Sequence, residues 1–344
     1  MRNDVTGNGG KRKILTAGKM SNESFITLSM VVVLIVLFGL ACIFVPNFYI
    51  GQNIINLVTN YWYVIVLGIG VTFLMVTGNF DMSVGGVVAM SGVLSVYFSQ
   101  AAHGSQSELA NGLGLPYGLA IALALTASLI IGAINAFFIT KMKVASIIVT
   151  LGTMSVARGI AQIITQGAQR NTSLPDVFSI IGNFTIISSV KLAVIIMIIF
   201  VIAAVIVEKR TVFGRRTYLI GANTEAARLS GVKVSKHITT LYLISSLLAG
   251  ITGILLASEY VSGTSNRAMG VEFDALVITL LGGTSIAGGF GSVSGTVIGA
   301  LVLAVVTSSA TGLLLRPEWQ FILKGVVTFI AIMAQRFALD RRKL

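Results

Sequence analysis

Long apolar segments alternate with short polar breaks along almost the entire chain. No Asp, Glu, Lys or Arg occurs between residues 24 and 80 or between residues 275 and 315. A helix needs about 20 apolar residues to cross the hydrocarbon core of a bilayer, so each gap is long enough for two crossings. The apolar segments predict ten membrane spans, at residues 25–45, 54–76, 84–101, 117–139, 144–165, 190–207, 238–258, 273–289, 293–314 and 319–337.

The pattern therefore predicts an all-α polytopic membrane protein with about ten transmembrane helices. The eighth segment, 273–289, is short and ends in glycines, so it is either a full span or a broken, re-entrant helix. We expect one transmembrane domain over residues 24–338, with cytoplasmic tails at residues 1–23 and 339–344.

Composition and charge agree with a membrane protein and argue against nucleic-acid binding. Hydrophobic residues make up 55% of the 344 residues and charged residues only 10%, whereas a soluble domain is about 25% charged. The formal net charge is +12. The basic residues are scattered over short breaks instead of forming one basic surface with aromatic residues, so we exclude a nucleic-acid partner and expect a lipid bilayer.

The positions of the basic residues orient the predicted spans. Cytoplasmic segments of membrane proteins carry an excess of Lys and Arg. If residue 1 lies in the cytoplasm, the cytoplasmic segments hold 18 of the 24 Lys and Arg residues. An even number of spans also keeps the basic C-terminal cluster on that side. We therefore predict that both termini are cytoplasmic.

The longest cytoplasmic segment follows the sixth span and contains a short predicted helix. Asn223 or Thr224 is placed to cap its start, and Glu225 and Arg228 match the helix dipole at the first and last turns. Gly231 stands where a left-handed C-terminal cap is expected. A helix of about two turns is unstable alone in water. It must therefore dock, either on its own membrane domain or on a cytoplasmic partner.

The chain lacks the motifs that carry catalysis or nucleotide binding. No GxxxxGK[ST] phosphate loop, HExxH or GxSxG motif occurs in it. The single cysteine, Cys42, excludes a disulfide framework and a CxxC site. We therefore expect no catalytic site, no ATPase site and no bound cofactor or metal in this chain.

Two glycine-rich breaks interrupt apolar segments and precede a new helix. The first is GNFDMSVGG, residues 78–86, and the second is GGFGSVSG, residues 288–295. Non-helical backbone at membrane depth persists only where protein or a water-filled cavity covers it. The breaks are therefore either parts of a pathway or gate, or tight turns in which Asp81 or Ser292 caps the next helix. Their candidate pathway residues are Asn79, Asp81, Ser83, Gly289, Gly291 and Ser292.

Arg158 lies in the middle of the fifth predicted span. A charged residue there is costly and is by default a functional candidate. Thr150 and Thr153, on the preceding turns, join it as candidate pathway residues. Arg158 either faces a water-filled cavity or bonds to backbone carbonyl groups, and we favour the second. Asp81 and Glu272 fall at predicted span edges, which argues against a proton-coupled carrier.

Three further features have structural interpretations that we prefer. The aromatic residues Tyr61–Tyr63 form either an interfacial belt or a sugar-stacking surface, and we favour the belt. Lys324 lies near the outer end of the last span, and we expect its ammonium group to extend to the interface. Gly291, Gly295 and Gly299 share one helix face, which is typical of close helix packing.

Four motifs together resemble the ribose-type sugar permeases of ATP-binding cassette (ABC) importers. Residues 78–85 (GNFDMSVG) are similar to the family's GGIDLSVG signature, and residues 148–159 match its IVTLGTM…RG segment. Residues 221–231 (GANTEAARLSG) resemble its GxNxxAARxSG cytoplasmic loop, and residues 281–295 its late LGGT…GGxGS block. The likeness runs in the same order over about residues 50–335, and the joint agreement is specific for the family.

The resemblance implies the membrane-spanning permease subunit of an ABC importer in the bacterial inner membrane. Such a subunit translocates a monosaccharide by alternating access. The implied partners are a separate ATPase subunit that uses the ATP, an extracytoplasmic sugar-binding protein, and a second permease copy or a paralogue. Loop 208–237 would then carry the coupling helix that docks on the ATPase, with the residues Asn223, Glu225, Ala226, Ala227, Arg228, Ser230 and Gly231.

The transported solute stays open at this point. Asn79 replaces a glycine of the family signature, and Phe290 stands where a basic residue is frequent. Related permeases carry pentoses, hexoses or nucleosides, and more distant ones branched-chain amino acids. The competing class is a standalone secondary carrier, which needs no ATPase subunit.

Overall fold

The structure is a computed structural model that describes residues 22–101, 111–171, 174–187 and 190–340. Residues 1–21 and 341–344 of the predicted tails lie outside these ranges. The described chain is helical apart from one two-stranded hairpin, which confirms the all-α class. Its elements are α1 (Asn22–Phe44), α2 (Gly51–Thr59), α3 (Trp62–Val76), α4 (Val84–Ser99), α5 (Tyr117–Thr140), α6 (Ser146–Thr165), α7 (Asp176–Asn183), β1 (Thr185–Ile187), β2 (Val190–Lys191), α8 (Leu192–Arg210), α9 (Val212–Ala222), α10 (Thr224–Leu229), α11 (Val234–Glu259), α12 (Val271–Leu281), α13 (Val293–Gly312) and α14 (Pro317–Asp340).

Several of these helices suit a bilayer. In the described part of the chain, five helices are long and apolar enough to cross one: α5, α6, α8, α11 and α13. Helices α2 and α3 add a sixth candidate if they are counted as one span bent by 44°. Helix α4 and the segment Leu28–Phe44 of α1 are apolar but shorter. The chain is therefore an integral membrane protein with several spanning helices.

Two predicted spans are interrupted by backbone breaks. The second divides into α2 and α3 at Asn60 and Tyr61. The eighth contains only α12, whose 11 residues extend about 16 Å, half of a hydrocarbon core. Gly283, Gly288 and Gly289 adopt positive φ angles after it. A helix cannot continue through that conformation. Of the two alternatives for segment 273–289, the structure therefore shows the broken helix.

Helix α11 is the centre of the packed core. It contacts α3, α4, α5 and α7, and α3 and α4 are almost wholly buried. Small residues allow these contacts, since a Cβ added at Gly253 would lie 2.2 Å from the carbonyl oxygen of Val88. A Cβ at Gly299 would likewise lie 2.2 Å from the carbonyl oxygen of Ile278, which confirms close packing at Gly295 and Gly299 of the predicted glycine stripe. Gly291 precedes α13 and does not share that helix face. Helices α5, α6 and α8 instead expose large apolar side chains, as a bilayer-facing layer requires.

Candidate functional site

Helix α10 has the local structure that its sequence predicts. The Asn223 side chain caps it, because its Oδ1 accepts a hydrogen bond of 2.9 Å from the amide of Ala226. Arg228 forms a surface ion pair of 2.5 Å with Glu225, and its hydrogen bond lowers the pKa of that carboxyl. Gly231 has a φ of +80° and ends the helix in the left-handed conformation.

One residue of α10 anchors it and the others face outward. Ala227 is fully buried and holds the helix against the body of the protein. Leu229, which we did not select from the sequence, is 76% exposed. It lies about 200° around the helix from Ala227, since each residue turns the helix by about 100°. The exposed predicted residues are Asn223, Glu225, Ala226, Arg228, Ser230 and Gly231.

Helix α9 connects α10 to the end of α3 and to the second glycine-rich break. A Cβ added at Gly221, near the end of α9, would lie 1.8 Å from the carbonyl oxygen of Val76 and 2.6 Å from the amide nitrogen of Gly289. The Gly289 amide donates a hydrogen bond of 2.8 Å to that same carbonyl. We call this contact of Val76, Gly221 and Gly289 the three-way junction. It joins the end of α3, the second break and the helix that leads into α10.

A buried carboxylate makes a second connection to the same region. Glu208, at the end of α8, accepts a hydrogen bond of 3.0 Å from the amide of Val293, the first residue of α13. The hydroxyl of Tyr218 in α9 lies 2.7 Å from Glu208 and 2.6 Å from the carbonyl oxygen of Gly291. Ser292 caps α13 through a bond of 3.1 Å from the Gly295 amide, as predicted. Helix α9 is therefore tied to the start of α13 through side chains.

The first break holds a buried polar network. Asp81 accepts hydrogen bonds from the Ser83 amide at 3.0 Å, from the Ser83 hydroxyl at 2.5 Å and from Ser245 at 2.7 Å. Asn135 donates to the Ser83 hydroxyl at 3.0 Å and accepts from Thr153 at 2.6 Å. The network thereby links the first break to α5, α6 and α11. Asp81 orders the turn before α4 and does not cap that helix, because Ser83 is the N-cap residue.

Two predicted pathway residues do not join this network. The Asn79 amide donates locally to the Thr77 hydroxyl at 3.0 Å. Thr150 is buried, but its hydroxyl donates to the carbonyl oxygen of Ser146 in its own helix at 2.8 Å. Their side-chain bonds therefore serve local backbone structure.

Arg158 does not bond to backbone carbonyl groups, contrary to our preferred interpretation. Its guanidinium lies 3.7 Å from the Glu272 carboxylate, and neither terminal nitrogen has a hydrogen-bond partner among the described residues. Glu272 is 5% exposed and lies against Gly85 in the first break. Glu272 lies in the first turn of α12, at the edge of a helix as predicted, and it is buried there. Arg158 therefore belongs to a buried ion pair.

A second polar region lies at the end of α11 remote from α10. Helix α11 has 26 residues, a length of about 39 Å, and its last turn borders a cavity of about 440 Å³. We call it the distal cavity. Tyr61 and Trp62 line it and are 8% and 1% exposed, so the preferred interpretation of these residues as an interfacial belt was wrong. Lys324 also lines it and is paired with Asp274 at 2.9 Å, so its ammonium does not simply extend to the interface.

Four residues that organise these regions were missed at the sequence level. Asn135 carried a signal, since it is an amide within an otherwise apolar predicted span, and so did Glu208, an acidic residue directly after one. Ser245 and Tyr218 carried none, because serine and tyrosine are ordinary in such positions. Only the fold brings Ser245 to Asp81.

Comparison with known proteins identifies the family. Residues 53–332 match the family model described as branched-chain amino acid transport system / permease component. The ribose import permease protein RbsC of Bacillus subtilis is 33% identical over 87% of this chain and 87% of its own length. RbsC of Escherichia coli K12 is 31% identical over 94% and 96%, and the L-arabinose transport system permease protein AraH of the same strain is 30% identical over 97% and 96%. No solved structure matches the chain significantly. These matches confirm the resemblance to ribose-type ABC importer permeases, and the chain belongs to the branched-chain amino acid transport system permease component family.

Proposed function

We propose that this chain is the membrane-spanning permease subunit of an ATP-driven importer that moves a monosaccharide into the cytoplasm. Membership of a permease family supports the transport role. The relatives are named for ribose and L-arabinose import. Those names favour a neutral sugar over a branched-chain amino acid as the solute.

In this proposal the chain crosses the inner membrane about ten times, and both termini are cytoplasmic. Residues 24–338 make up the transmembrane domain. The eighth crossing is the broken segment predicted at residues 273–289, in which the helix α12 ends at Leu281. Two contacts support this topology: the second break lies against Gly221 of α9, and Gly288 of that break lies against Gly78 of the first, so both breaks fall on the same side as loop 208–237.

The three-way junction is the observation that carries the coupling mechanism. Closure of the partner ATPase subunits would press on α10, and α9 transmits that displacement. At Gly221 the displacement reaches the end of α3, and through Tyr218 and Glu208 it reaches the start of α13. Both helices pack against several others, so in this mechanism each moves as a body and the pathway opens alternately to the two sides of the membrane.

Helix α10 has a surface suited to a protein partner. Leu229 is an apolar anchor beside the charged pair of Glu225 and Arg228. Interfaces commonly combine one apolar anchor with a polar rim. The partner ATPase binds and hydrolyses the ATP, an extracytoplasmic sugar-binding protein delivers the solute at the opposite face, and a second permease copy or a paralogue completes the pathway.

Reconstitution in proteoliposomes tests the proposal. The permease, its ATPase subunit and its binding protein are incorporated together, and uptake of radiolabelled ribose, arabinose and galactose is measured. We expect uptake of one sugar that requires ATP on the ATPase side and stops when the ATPase subunit is omitted. Uptake by the permease alone, driven by an ion gradient, would support a secondary carrier. ATP-driven uptake of leucine without uptake of any sugar would overturn the substrate class.

A further inference from the structure

We infer that the distal cavity binds the monosaccharide within this subunit, with Glu259 and Asn60 as its recognition residues. The inference rests on the proposed function and adds a site for its substrate. This site is the polar cavity at the far end of α11, away from the glycine-rich breaks.

The position and size of the distal cavity suit an entry site. It is about 440 Å³ in volume, within the range of about 300–1,000 Å³ for small-molecule pockets. It lies one α11 length, about 39 Å, from the helix proposed to meet the ATPase. In the proposed topology this is the face at which a binding protein delivers its solute.

The lining of the distal cavity matches the chemistry of a sugar. Tyr63 supplies partly exposed aromatic surface, the buried rings of Tyr61 and Trp62 complete the aromatic wall, and Asn60 and Thr311 supply exposed amide and hydroxyl groups. A monosaccharide has an apolar face of C–H bonds and a rim of hydroxyl groups, each of which donates and accepts hydrogen bonds. Aromatic rings cover the apolar face, and amides, hydroxyls and carboxylates form hydrogen bonds with the hydroxyl groups.

The charges around the distal cavity favour a neutral solute. Lys191 holds the Glu259 carboxylate at 2.6 Å, and the indole nitrogen of Trp62 donates to it at 3.3 Å. Lys324 is likewise paired with Asp274 at 2.9 Å. Each of these charges already faces an opposite one, so neither pair offers an uncompensated charge to bind a phosphate or a zwitterion. A carboxylate accepts about four hydrogen bonds, so Glu259 retains acceptor positions for sugar hydroxyl groups.

The chain provides its own reporter for this site. It contains two tryptophans, and Trp319 lies exposed in α14, so Trp319→Phe leaves Trp62 as the single indole. The sugar that the reconstituted complex imports is titrated into this full-length variant in nanodiscs. We expect a saturable change in Trp62 emission.

Two substitutions test the recognition residues independently. Glu259→Gln should raise the Kd, and the KM for uptake, about tenfold, because a charged hydrogen-bond acceptor is lost. Asn60→Ala, at an exposed position, should raise both about fivefold. Glu318→Gln is the matched control, because this glutamate is exposed and paired with Arg316 outside the cavity. It should leave both constants unchanged.

The outcomes separate this inference from the proposed function. If the wild-type complex imports a sugar that leaves Trp62 emission unchanged, the distal cavity is not its site. If Glu259→Gln and Asn60→Ala both keep the wild-type KM, the inference fails although import by the complex stands. If the complex imports no sugar of the panel with ATP, the proposed function fails and this inference with it.

Discussion

Gly221→Ala is the smallest change that separates α9 from the end of α3 and from the second glycine-rich break. The added Cβ would lie 1.8 Å from the carbonyl oxygen of Val76 and 2.6 Å from the amide nitrogen of Gly289. Both atoms belong to the backbone, so no side-chain rotation relieves the overlap. Real Cβ atoms essentially never approach a heavy atom closer than 3.0 Å. The three-way junction must therefore open by about 1.2 Å, the difference between 3.0 and 1.8 Å.

The expected effect follows from the cost of overpacking. An extra methyl group in a closely packed site costs about 1–3 kcal/mol. Since 1.4 kcal/mol is a factor of ten, the population of the coupled conformation should fall about 5- to 150-fold. The exposed face of α10 is unchanged, so the ATPase subunit should still bind. We therefore expect sugar uptake per ATP hydrolysed to fall while co-purification of the ATPase persists.

The assay compares uptake and ATP hydrolysis in the same proteoliposomes. Gly39→Ala is the matched control, since it adds the same methyl group in helix α1 where no atom lies within 4 Å. It should retain wild-type uptake and hydrolysis. If Gly221→Ala gives the same uptake per ATP as Gly39→Ala, the three-way junction does not carry the coupling, and that part of the mechanism is refuted.

Three more tests probe the surfaces around this junction. Glu225→Lys breaks the ion pair of α10 and should weaken a pull-down of the ATPase subunit, and adding Arg228→Glu should restore the pair and part of the binding. Leu229→Asp should weaken the same pull-down, whereas Leu314→Asp, at a 90% exposed position outside α10, should not. Glu208→Gln removes a charged acceptor at the start of α13 and should lower uptake about tenfold with the ATPase still bound. An unchanged pull-down in the first two, or unchanged uptake in the third, would contradict the assigned roles.

Local features of this chain were predictable from its sequence. Helix α10 is the clearest case, because an Asn223 cap and a Gly231 terminus depend on chemistry within a few residues. The glycines that end α12 were visible too, and they motivated the broken-helix alternative for residues 273–289. The length of the apolar segments located the long helices. This too is a local property, because each helix satisfies its own backbone hydrogen bonds.

Contacts between distant segments were not predictable. Arg158 and Glu272 lie on different helices, and nothing near either residue in the sequence indicates the other. The same holds for Asp81 and Ser245, which α11 brings together. Tyr61 and Trp62 were misassigned for a related reason. Aromatic residues near the end of a span suit an interface, and only the packing of α11 and α13 against α3 buries them.

Cysteine accessibility at α10 tests the central claim most directly. Cys42 is the only native cysteine, so Leu229→Cys in a Cys42→Ala background gives one reactive thiol on the exposed face of α10. Membrane vesicles of known orientation are treated with an impermeant maleimide, with and without the ATPase subunit. We predict that the thiol is labelled from the cytoplasmic side only and is protected when the ATPase is bound. Labelling from the extracytoplasmic side would contradict the account, since no ATPase reaches a helix on that face.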